Sequence, residues 1–365
     1  MTQRLTGKYL TILVALQEGP MDRIEQIAER VGLSRTTVSR DLKWLSGKLP
    51  DATKRYFRVI PDLNEPALGL ETIDAFLDTP DIASLKKLEK LCDDHPYTKY
   101  RARCYGHHSG LFTQFRVPIG TEHLISSLLK SIKQKGLISK YSLLPTAKAE
   151  PIFSVSRLQH WNSESFSWNF DWTSWTNKKS KKKIVESTAT PNLIHQLDKN
   201  DIHILTHLVH GARRKQKEII DALAKDGILL SSQDFSRRLT HLNAHFINDY
   251  IIFLDTNAFD LYSNVILTAK TEPGFSAELA ELMKSNPIPF RSTLKIKDDF
   301  LLWFLRLPPN HLSEFLMYLQ PKIHEMKISL LDYQNSQVYG VWSGAFDNGW
   351  IQSRQFIVSD ILDSL

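Results

Sequence analysis

Residues 33–45 read LSRTTVSRDLKWL, and this stretch sets the first expectation about the fold. Leu33, Val38, Leu42 and Leu45 recur at helical spacing, so one face of the segment is apolar. The other face carries small hydroxyl residues and arginines, which can approach base edges closely in the major groove of DNA. The stretch therefore predicts a DNA-reading helix.

The residues before this helix predict its partners. The periodicity is helical from Tyr9 to Leu45, and Gly19-Pro20 and Gly32 interrupt it. Three short helices with a tight turn before the last make a helix-turn-helix, and the alternating segment 55–60, RYFRVI, predicts a wing. Residues 1–60 carry eleven Lys and Arg against six Asp and Glu, a net charge of +5, which favours a polyanionic partner.

Length and composition describe an ordinary soluble chain of several compact units. The 365 residues are 42% hydrophobic and 24% charged. No apolar run approaches the roughly 18 residues that cross a bilayer, and the polar start MTQRLTGKYL is not a signal peptide. Only Cys92 and Cys104 occur, so no disulfide framework is expected and a reducing cytoplasm is the simplest location.

The chain repeats itself once. LTGKYLTIL, LFTQFRVP and KYSLL begin at Leu5, Leu111 and Lys140, and they match LDKNDIHIL, LLWFLRLP and KISLL, which begin at Leu197, Leu301 and Lys327. The offsets are 192, 190 and 187 residues in the same order, so we infer a duplicated module of about 190 residues. A diverged form of the opening stretch, LSSQDFSRRLTHL, lies at 230–242.

After each predicted helix-turn-helix the pattern becomes β-α-β-β-α-β, which is the ferredoxin-like split unit. We expect helix-turn-helix units at 1–60 and 193–256 and ferredoxin-like units at 66–150 and 261–333. A Trp-rich tail with a Lys-rich linker at 151–192 follows the first copy, and a C-terminal tail at 334–365 follows the second.

Both copies resemble the Lrp/AsnC family of feast/famine transcription regulators. The resemblance is carried by IEQIAERVGLSRTTVSRDLKWL at 24–45 and by the LDKNDIHIL opening at 197–205. It implies an α+β fold in which two (winged) helix-turn-helix domains are each followed by a βαββαβ ferredoxin-like domain. Family members are usually half this length and dimerise through those domains, so the resemblance implies an intramolecular pseudo-dimer.

The first DNA-binding candidates combine hydroxyl and cationic side chains: Ser34, Arg35, Thr36, Thr37, Ser39, Arg40 and Lys43, with Arg55 and Arg58 from the wing. The second set is Ser232, Gln233, Ser236, Arg237, Arg238 and His241. Residues 193–255 are electrically neutral, with eight Lys and Arg against eight Asp and Glu. Each stretch has a plainer alternative: the first as a solvated surface helix, the second as a weak binder or a support for the pseudo-dimer.

Ligand and metal sites give weaker signals. The resemblance implies a small-molecule effector near the turn Gly106, His107, His108, Ser109 and Gly110. His203, His207 and His210 share a helical face, and Cys104 lies near His107, but solvated histidines explain both groups more simply. We expect no cofactor and no metal. The tryptophans of 151–177 and Trp342 and Trp350 are typical of tails packed on a domain, although aromatics also stack on single-stranded bases.

The leading interpretation is a transcription regulator without catalysis. Its expected partners are double-stranded DNA, a small-molecule effector and, beyond the pseudo-dimer, further copies of the chain; no membrane is expected. One alternative is an enzyme, because siroheme decarboxylases resemble the same fold, are sometimes fused in pairs, and imply a tetrapyrrole pocket with histidine and arginine ligands. YTKYRARCYGHHSG at 97–110 lacks their Tyr-Arg-Arg-Glu-His-type run. The other alternative is a nonspecific chromatin-like DNA binder.

Overall fold

The computed structural model describes residues 5, 7–49, 52, 54–146, 149–177, 190–255 and 258–365. The Lys-rich segment 178–183, interpreted as a solvated linker, lies outside them. No helix among the described residues is long and apolar enough to cross a membrane.

The first copy contains a three-helix unit and a ferredoxin-like unit, as expected. Its elements are α1 (Gly7–Glu18), α2 (Ile24–Val31), α3 (Arg35–Leu45), β1 (Phe57–Leu63), β2 (Leu70–Asp78), α4 (Ile82–Asp94), β3 (Thr98–Gly106), β4 (Gly110–Pro118), α5 (Glu122–Gln134) and β5 (Lys140–Leu143). The first tail follows, with β6 (Ile152–Ser154), β7 (Trp161–Asn162), β8 (Ser167–Trp168) and α6 (Trp172–Thr176).

The second copy repeats this order. Its elements are α7 (Lys199–Val209), α8 (Gln216–Lys225), α9 (Ser232–His245), β9 (Ile247–Leu254), β10 (Ser263–Thr271), α10 (Phe275–Ser285), β11 (Ser292–Lys297), β12 (Phe300–Leu307), α11 (Pro309–Leu319) and β13 (Ile323–Leu331). The second tail contains β14 (Gln337–Val338), a π-helical turn (Gln355–Ser359) and α12 (Asp360–Asp363). The predicted fold class is confirmed.

The last helix of each three-helix unit begins in the same way. The Ser34 hydroxyl accepts a hydrogen bond from the Thr37 N–H at 3.2 Å, and the Ser231 hydroxyl accepts one from the Asp234 N–H at 3.0 Å. Each serine thus satisfies a backbone donor that the first helical turn leaves unpaired. Gly32 ends α2 with a φ of 66°, a conformation that glycine adopts without strain. These local signals fix the start of both candidate recognition helices.

The expected wing is wrong. β1 does not fold back on its own three-helix unit; it pairs antiparallel with β9 of the other copy, from Phe57 opposite Leu254 to Leu63 opposite Ile247. The two strands satisfy each other's backbone groups and make a two-stranded ribbon that joins the copies.

The two ferredoxin-like sheets form one continuous sheet. Among the described residues the strand order is β5-β2-β4-β3-β13-β10-β12-β11-β6, with β14 also paired to β3. The seam is the β3–β13 pair. On the face away from the helices, Phe76, Tyr100 and Phe112 of the first copy share an apolar cluster with Ile266 and Leu302 of the second. The copies are therefore joined both by the β3–β13 strand pair and by an apolar cluster on one face of the sheet.

A buried ion pair crosses this face. The Lys295 ammonium of β11 lies 2.6 Å from an Asp74 carboxylate oxygen of β2, and both side chains are buried. Thr146 and Gln114 donate to the same carboxylate at 2.8 and 2.6 Å. Because the buried charge has this full set of partners, the pair ties one copy to the other without leaving an orphaned carboxylate.

The tails are exchanged between the copies. Trp168 and Trp175 of the first tail donate from their indole nitrogens to Phe259 and Asn286 of the second copy. Trp350 of the second tail donates to the Leu68 carbonyl of the first copy. Four tryptophans of the first tail are buried, namely Trp161, Trp168, Trp172 and Trp175. Packing is confirmed as their role, and each tail covers the partner copy.

The docking of the second tail depends on a neutral histidine. The buried His95 ring donates from Nε2 to the Ile357 carbonyl at 3.2 Å, and its Nδ1 accepts from the Tyr97 N–H at 3.1 Å. Burial lowers the pKa of His95 to about 4. In the unfolded chain His95 takes up a proton near pH 6.5, whereas in the folded chain it does so only near pH 4. The contribution of His95 to the free energy of unfolding is therefore present above pH 6.5 and is lost as the pH falls toward 4.

We therefore expect the titration of His95 to lower the free energy of unfolding by about 3 kcal/mol when the pH is lowered from 6.5 to 4. Urea unfolding at both pH values, for wild type and His95→Gln, measures this contribution as a difference. The exposed His123, changed to Gln, is the matched control. Equal acid sensitivity in wild type and His95→Gln would rule the mechanism out.

Candidate functional site

Three arginines surround one phenylalanine where the β1–β9 ribbon meets the ferredoxin-like unit of the second copy. The guanidinium carbons of Arg291, Arg58 and Arg306 lie 4.4, 5.5 and 5.8 Å from the Phe253 ring centre. Arg58 and Phe253 belong to β1 and β9, while Arg306 is on β12 and Arg291 directly precedes β11. We call the pocket formed by Arg58, Arg291 and Arg306 the arginine pocket.

The arginine pocket lacks an acidic partner in the described part of the chain. Arg306 is 3% exposed, and its Nε and Nη1 have no hydrogen-bond partner. Asn264, directly opposite Arg306 in the β10–β12 pair, is 2% exposed and leaves both its amide oxygen and its amide nitrogen unpaired. Buried polar groups are nearly always paired in proteins, so these atoms mark the arginine pocket as a candidate binding site.

The electrostatics indicate the sign of that partner. Burial, with Arg306 and Arg58 nearby, lowers the pKa of Arg291 to about 9. Burial also lowers the pKa of Arg58. A guanidinium keeps its proton to above pH 12 in water, so the lowered pKa of Arg291 reflects first its burial and then the positive charges of Arg306 and Arg58. An anion is therefore the complementary ligand.

A cavity of about 20 Å³ opens beside these side chains. Arg291 and Arg306 line it together with Val155, Ser156, Ile251, Ile252 and Leu254. The volume suits one water molecule or one small polar group. Val155 is 37% exposed, so the cavity lies close to the surface.

The predicted DNA-contacting residues of the first copy lie mostly on the open face of α3. Arg35 and Arg40 have 73% and 67% of their side chains exposed, and Lys43 is exposed as well. Arg35 pairs with Glu25 at 2.9 Å. Ser34 and Thr36 are exposed, whereas Thr37 and Ser39 are half-buried.

Arg55, which precedes β1, and Arg58, which lies on β1, differ in their surroundings. Arg55 is exposed, while half-buried Arg58 belongs to the arginine pocket. The ribbon that replaces the expected wing thus turns Arg58 toward Phe253 of the other copy.

In the second copy the predicted residues divide between surface and interior. Ser232, Gln233, Ser236 and Arg237 are exposed on α9, and His241 is half-buried. Arg238 instead pairs with Asp198 and Asp201 at the start of α7, at 2.7 and 2.8 Å.

The first copy has the same contact between its first and third helices with the charges reversed. There Lys8 of α1 lies 2.5 Å from the buried carboxylate of Asp41 on α3. Arg238 takes the place of Asp41 in the aligned stretches, so it stabilises its own three-helix unit.

The predicted effector turn lies at the seam between the copies. The backbone nitrogens of His107 and His108 donate to Ile328 and Ser329 of β13 at 3.0 and 3.3 Å. His108 is also held by Asp78, 3.2 Å away, and stacks on Phe76. Gly106, Ser109 and Gly110 complete the turn, and none of these residues lines the cavity of the arginine pocket.

Sequence reasoning did not assemble the arginine pocket. Arg306 was visible only as the repeat of Arg116, and Arg291 and Phe253 carried no motif. The aligned pair of arginines at 116 and 306 was the one available signal, because an arginine kept at an otherwise apolar strand end requires a partner.

Comparison with known proteins supports the fold over the whole chain. No protein-family model matches, and no curated protein matches significantly by sequence. The crystal structure of the siroheme decarboxylase NirDL superposes with a TM-score of 0.56 at 10% identity, covering 98% of this chain and 99% of that one. NirDL in co-complex with an iron-uroporphyrin III analogue gives 0.56 at 11% identity, with the same coverage.

Solved Lrp/AsnC-type regulators match a smaller part. E. coli AsnC covers 39% of this chain with 91% of its own, at 13% identity and a TM-score of 0.31. The expectation that the chain is not an enzyme is contradicted, because the full-length match is to an enzyme. The chain has the tandem fold of NirDL, in which a helix-turn-helix and a ferredoxin-like unit occur twice.

Proposed function

We propose that the chain is an enzyme of the siroheme-decarboxylase type, which binds a carboxylate-bearing tetrapyrrole at the arginine pocket. The observation that carries the proposal is the buried, unneutralised pair Arg291 and Arg306, with the unpaired Asn264 beside it. Guanidinium groups bind carboxylates bidentately, and the interaction is strong where water is excluded. The NirDL complex with an iron-uroporphyrin analogue shares the fold.

The size of the cavity limits how such a substrate binds. A space of about 20 Å³ admits a carboxylate arm but not a macrocycle. We therefore place the macrocycle at the mouth, beside exposed Val155, with a peripheral carboxylate reaching Arg291 and Arg306. In decarboxylation the leaving group departs as CO₂ and a proton takes its place, so the arginines' task is to orient the substrate through carboxylates that it retains.

Product analysis tests the activity directly. The full chain is incubated with siroheme, and the macrocycle is examined by mass spectrometry for loss of CO₂. We expect the loss with wild type and not with Arg306→Gln. Unchanged siroheme with both proteins would reject the enzymatic proposal.

A second candidate function is DNA binding through α3. The observation that favours it is the exposed cationic face formed by Arg35, Arg40 and Lys43, in the segment 1–60, which has a net charge of +5. Such a helix fits the major groove, with arginines on guanine edges or phosphates and serine and threonine on phosphates. A small-molecule effector in the same chain is compatible with this function.

We expect Arg40→Ala to weaken binding to duplex DNA by about 1–3 kcal/mol if Arg40 contacts a base. Anisotropy titrations would use genomic fragments recovered by footprinting the full chain. Arg237→Ala is the matched comparison, because Arg237 takes the place of Arg40 in the aligned stretch and is equally exposed; we expect a smaller loss there, since its unit is neutral. Unchanged affinity and fragment preference in Arg40→Ala would remove α3 as the reader.

A further inference from the structure

The arginine pocket has a counterpart in the first copy at an equivalent place. Arg116 pairs with Thr72 across β4 and β2, as Arg306 pairs with Asn264 across β12 and β10. The backbone N–H of Arg116 donates to the Tyr97 carbonyl at 2.7 Å, and the backbone N–H of Arg306 donates to the Arg291 carbonyl at 3.0 Å. Thr72, Arg116 and Tyr97 therefore correspond to Asn264, Arg306 and Arg291.

The first-copy pocket already contains a carboxylate. One Glu65 oxygen lies 2.7 Å from the Lys99 ammonium and 3.5 Å from the Arg116 guanidinium, and the other accepts from the Thr72 hydroxyl at 2.7 Å. Lys99 lies at an irregularity of the β3–β4 pairing, whereas β11 and β12 pair without one. The first-copy pocket thus contains a carboxylate, Glu65, and an additional cation, Lys99.

The second tail closes this first-copy pocket. The Tyr97 hydroxyl donates to the Ile351 carbonyl at 2.8 Å, and Arg116 donates to the Tyr339 carbonyl at 3.2 Å. The remaining cavity of about 10 Å³ is lined in part by Val341, Trp342 and Trp350. In the second copy Arg291 takes the place of Tyr97, and its side chain makes no equivalent hydrogen bond to a described residue.

Nothing equivalent to Glu65 neutralises the second copy among the described residues. The offset is 191 from Asn64 to Asp255, which donate equivalent backbone hydrogen bonds, and 192 from Thr72 to Asn264, so Glu65 aligns with Thr256 or Asn257. Both lie outside the described part, and neither residue type carries a charge. Arg306 and Asn264, which leave polar atoms unpaired, correspond to Arg116 and Thr72, the residues that Glu65 contacts in the first copy.

We propose that each chain binds one external carboxylate ligand, at the arginine pocket of the second copy, while Glu65 acts as a permanent internal carboxylate in the first. The identity of the ligand as a tetrapyrrole rests on the proposed function; the asymmetry itself does not. Two equivalent places in the duplicated fold thus differ in whether the chain itself supplies the carboxylate.

Ligand-free stability separates the two pockets. Arg306→Gln removes an unneutralised buried charge, so we expect its melting temperature to equal or exceed that of wild type. Arg116→Gln and Glu65→Gln each leave buried charge unpaired, so we expect both to melt several degrees lower. Arg116→Lys is the milder variant should Arg116→Gln not fold. A fall in Arg306→Gln as large as that in the first-copy variants overturns the asymmetry.

Ligand binding supplies the second readout. Acetate, compared with chloride at equal ionic strength, is expected to raise the melting temperature of wild type and of Glu65→Gln but not of Arg306→Gln. Iron uroporphyrin is expected to bind wild type at one equivalent per chain. Two equivalents, or an acetate effect that persists in Arg306→Gln or is missing in wild type, overturn the asymmetry. An acetate effect at Arg306 without binding of iron uroporphyrin upholds the asymmetry and rejects the tetrapyrrole.

Discussion

Replacing Lys295 by Met is expected to lower the free energy of unfolding by about 3–5 kcal/mol. The substitution leaves Asp74 buried between the sheets, with hydrogen bonds from Thr146 and Gln114 but no countercharge. Breaking one half of a buried pair costs more than removing both halves, because the remaining charge is desolvated without compensation. Urea unfolding of the full chain measures the loss.

A neighbouring lysine gives the matched control. Lys297 follows two residues later on β11, has 51% of its side chain exposed, and lies 4.0 Å from an exposed Asp298. Its replacement by Met is expected to change stability by less than about 0.5 kcal/mol. The double variant Asp74→Leu, Lys295→Met should recover much of the loss. A Lys295→Met protein as stable as wild type would mean that the ion pair does not hold the copies together.

Arg306→Gln is expected to weaken binding of iron uroporphyrin by about 30-fold to several thousand-fold. This range corresponds to about 2–5 kcal/mol, the usual result of removing one member of a buried charge pair. Gln keeps hydrogen-bonding capacity but loses the charge and the planar fork that grip a carboxylate. Absorbance titration of the macrocycle at constant ionic strength gives the affinities.

The exposed Arg354, changed to Gln, tests whether any loss of positive charge has the same effect. Because Arg354 is exposed and does not line the cavity of the arginine pocket, we expect wild-type affinity. If Arg306→Gln binds as tightly as Arg354→Gln, the macrocycle is held somewhere else on the protein.

The sequence predicted the architecture because both the duplication and the periodicity of apolar residues can be read directly from the order of the residues. The three repeat offsets located both copies, and the Ser34 and Ser231 caps lie where the two related stretches begin. The ribbon was misread as a wing, because an alternating strand such as 55–60 does not reveal which strand will pair with it.

The candidate site was hidden because its members are far apart in the chain. Arg58, Phe253 and Arg306 come from both copies, and only the β1–β9 ribbon brings them together. Counting formal charge also missed that Glu65 neutralises the pocket of the first copy, while no described acid does so in the second. Whether a charge is neutralised depends on three-dimensional neighbours, which the sequence pattern does not contain.

Crystals of the full chain grown with iron uroporphyrin test the central claim most directly, because anomalous scattering locates the iron independently of the fitted chain. We predict one iron per chain near the mouth of the arginine pocket beside Val155, with a macrocycle carboxylate in contact with Arg291 and Arg306. Iron found against Arg116 in the first copy, or on the exposed face of α3, would contradict the account.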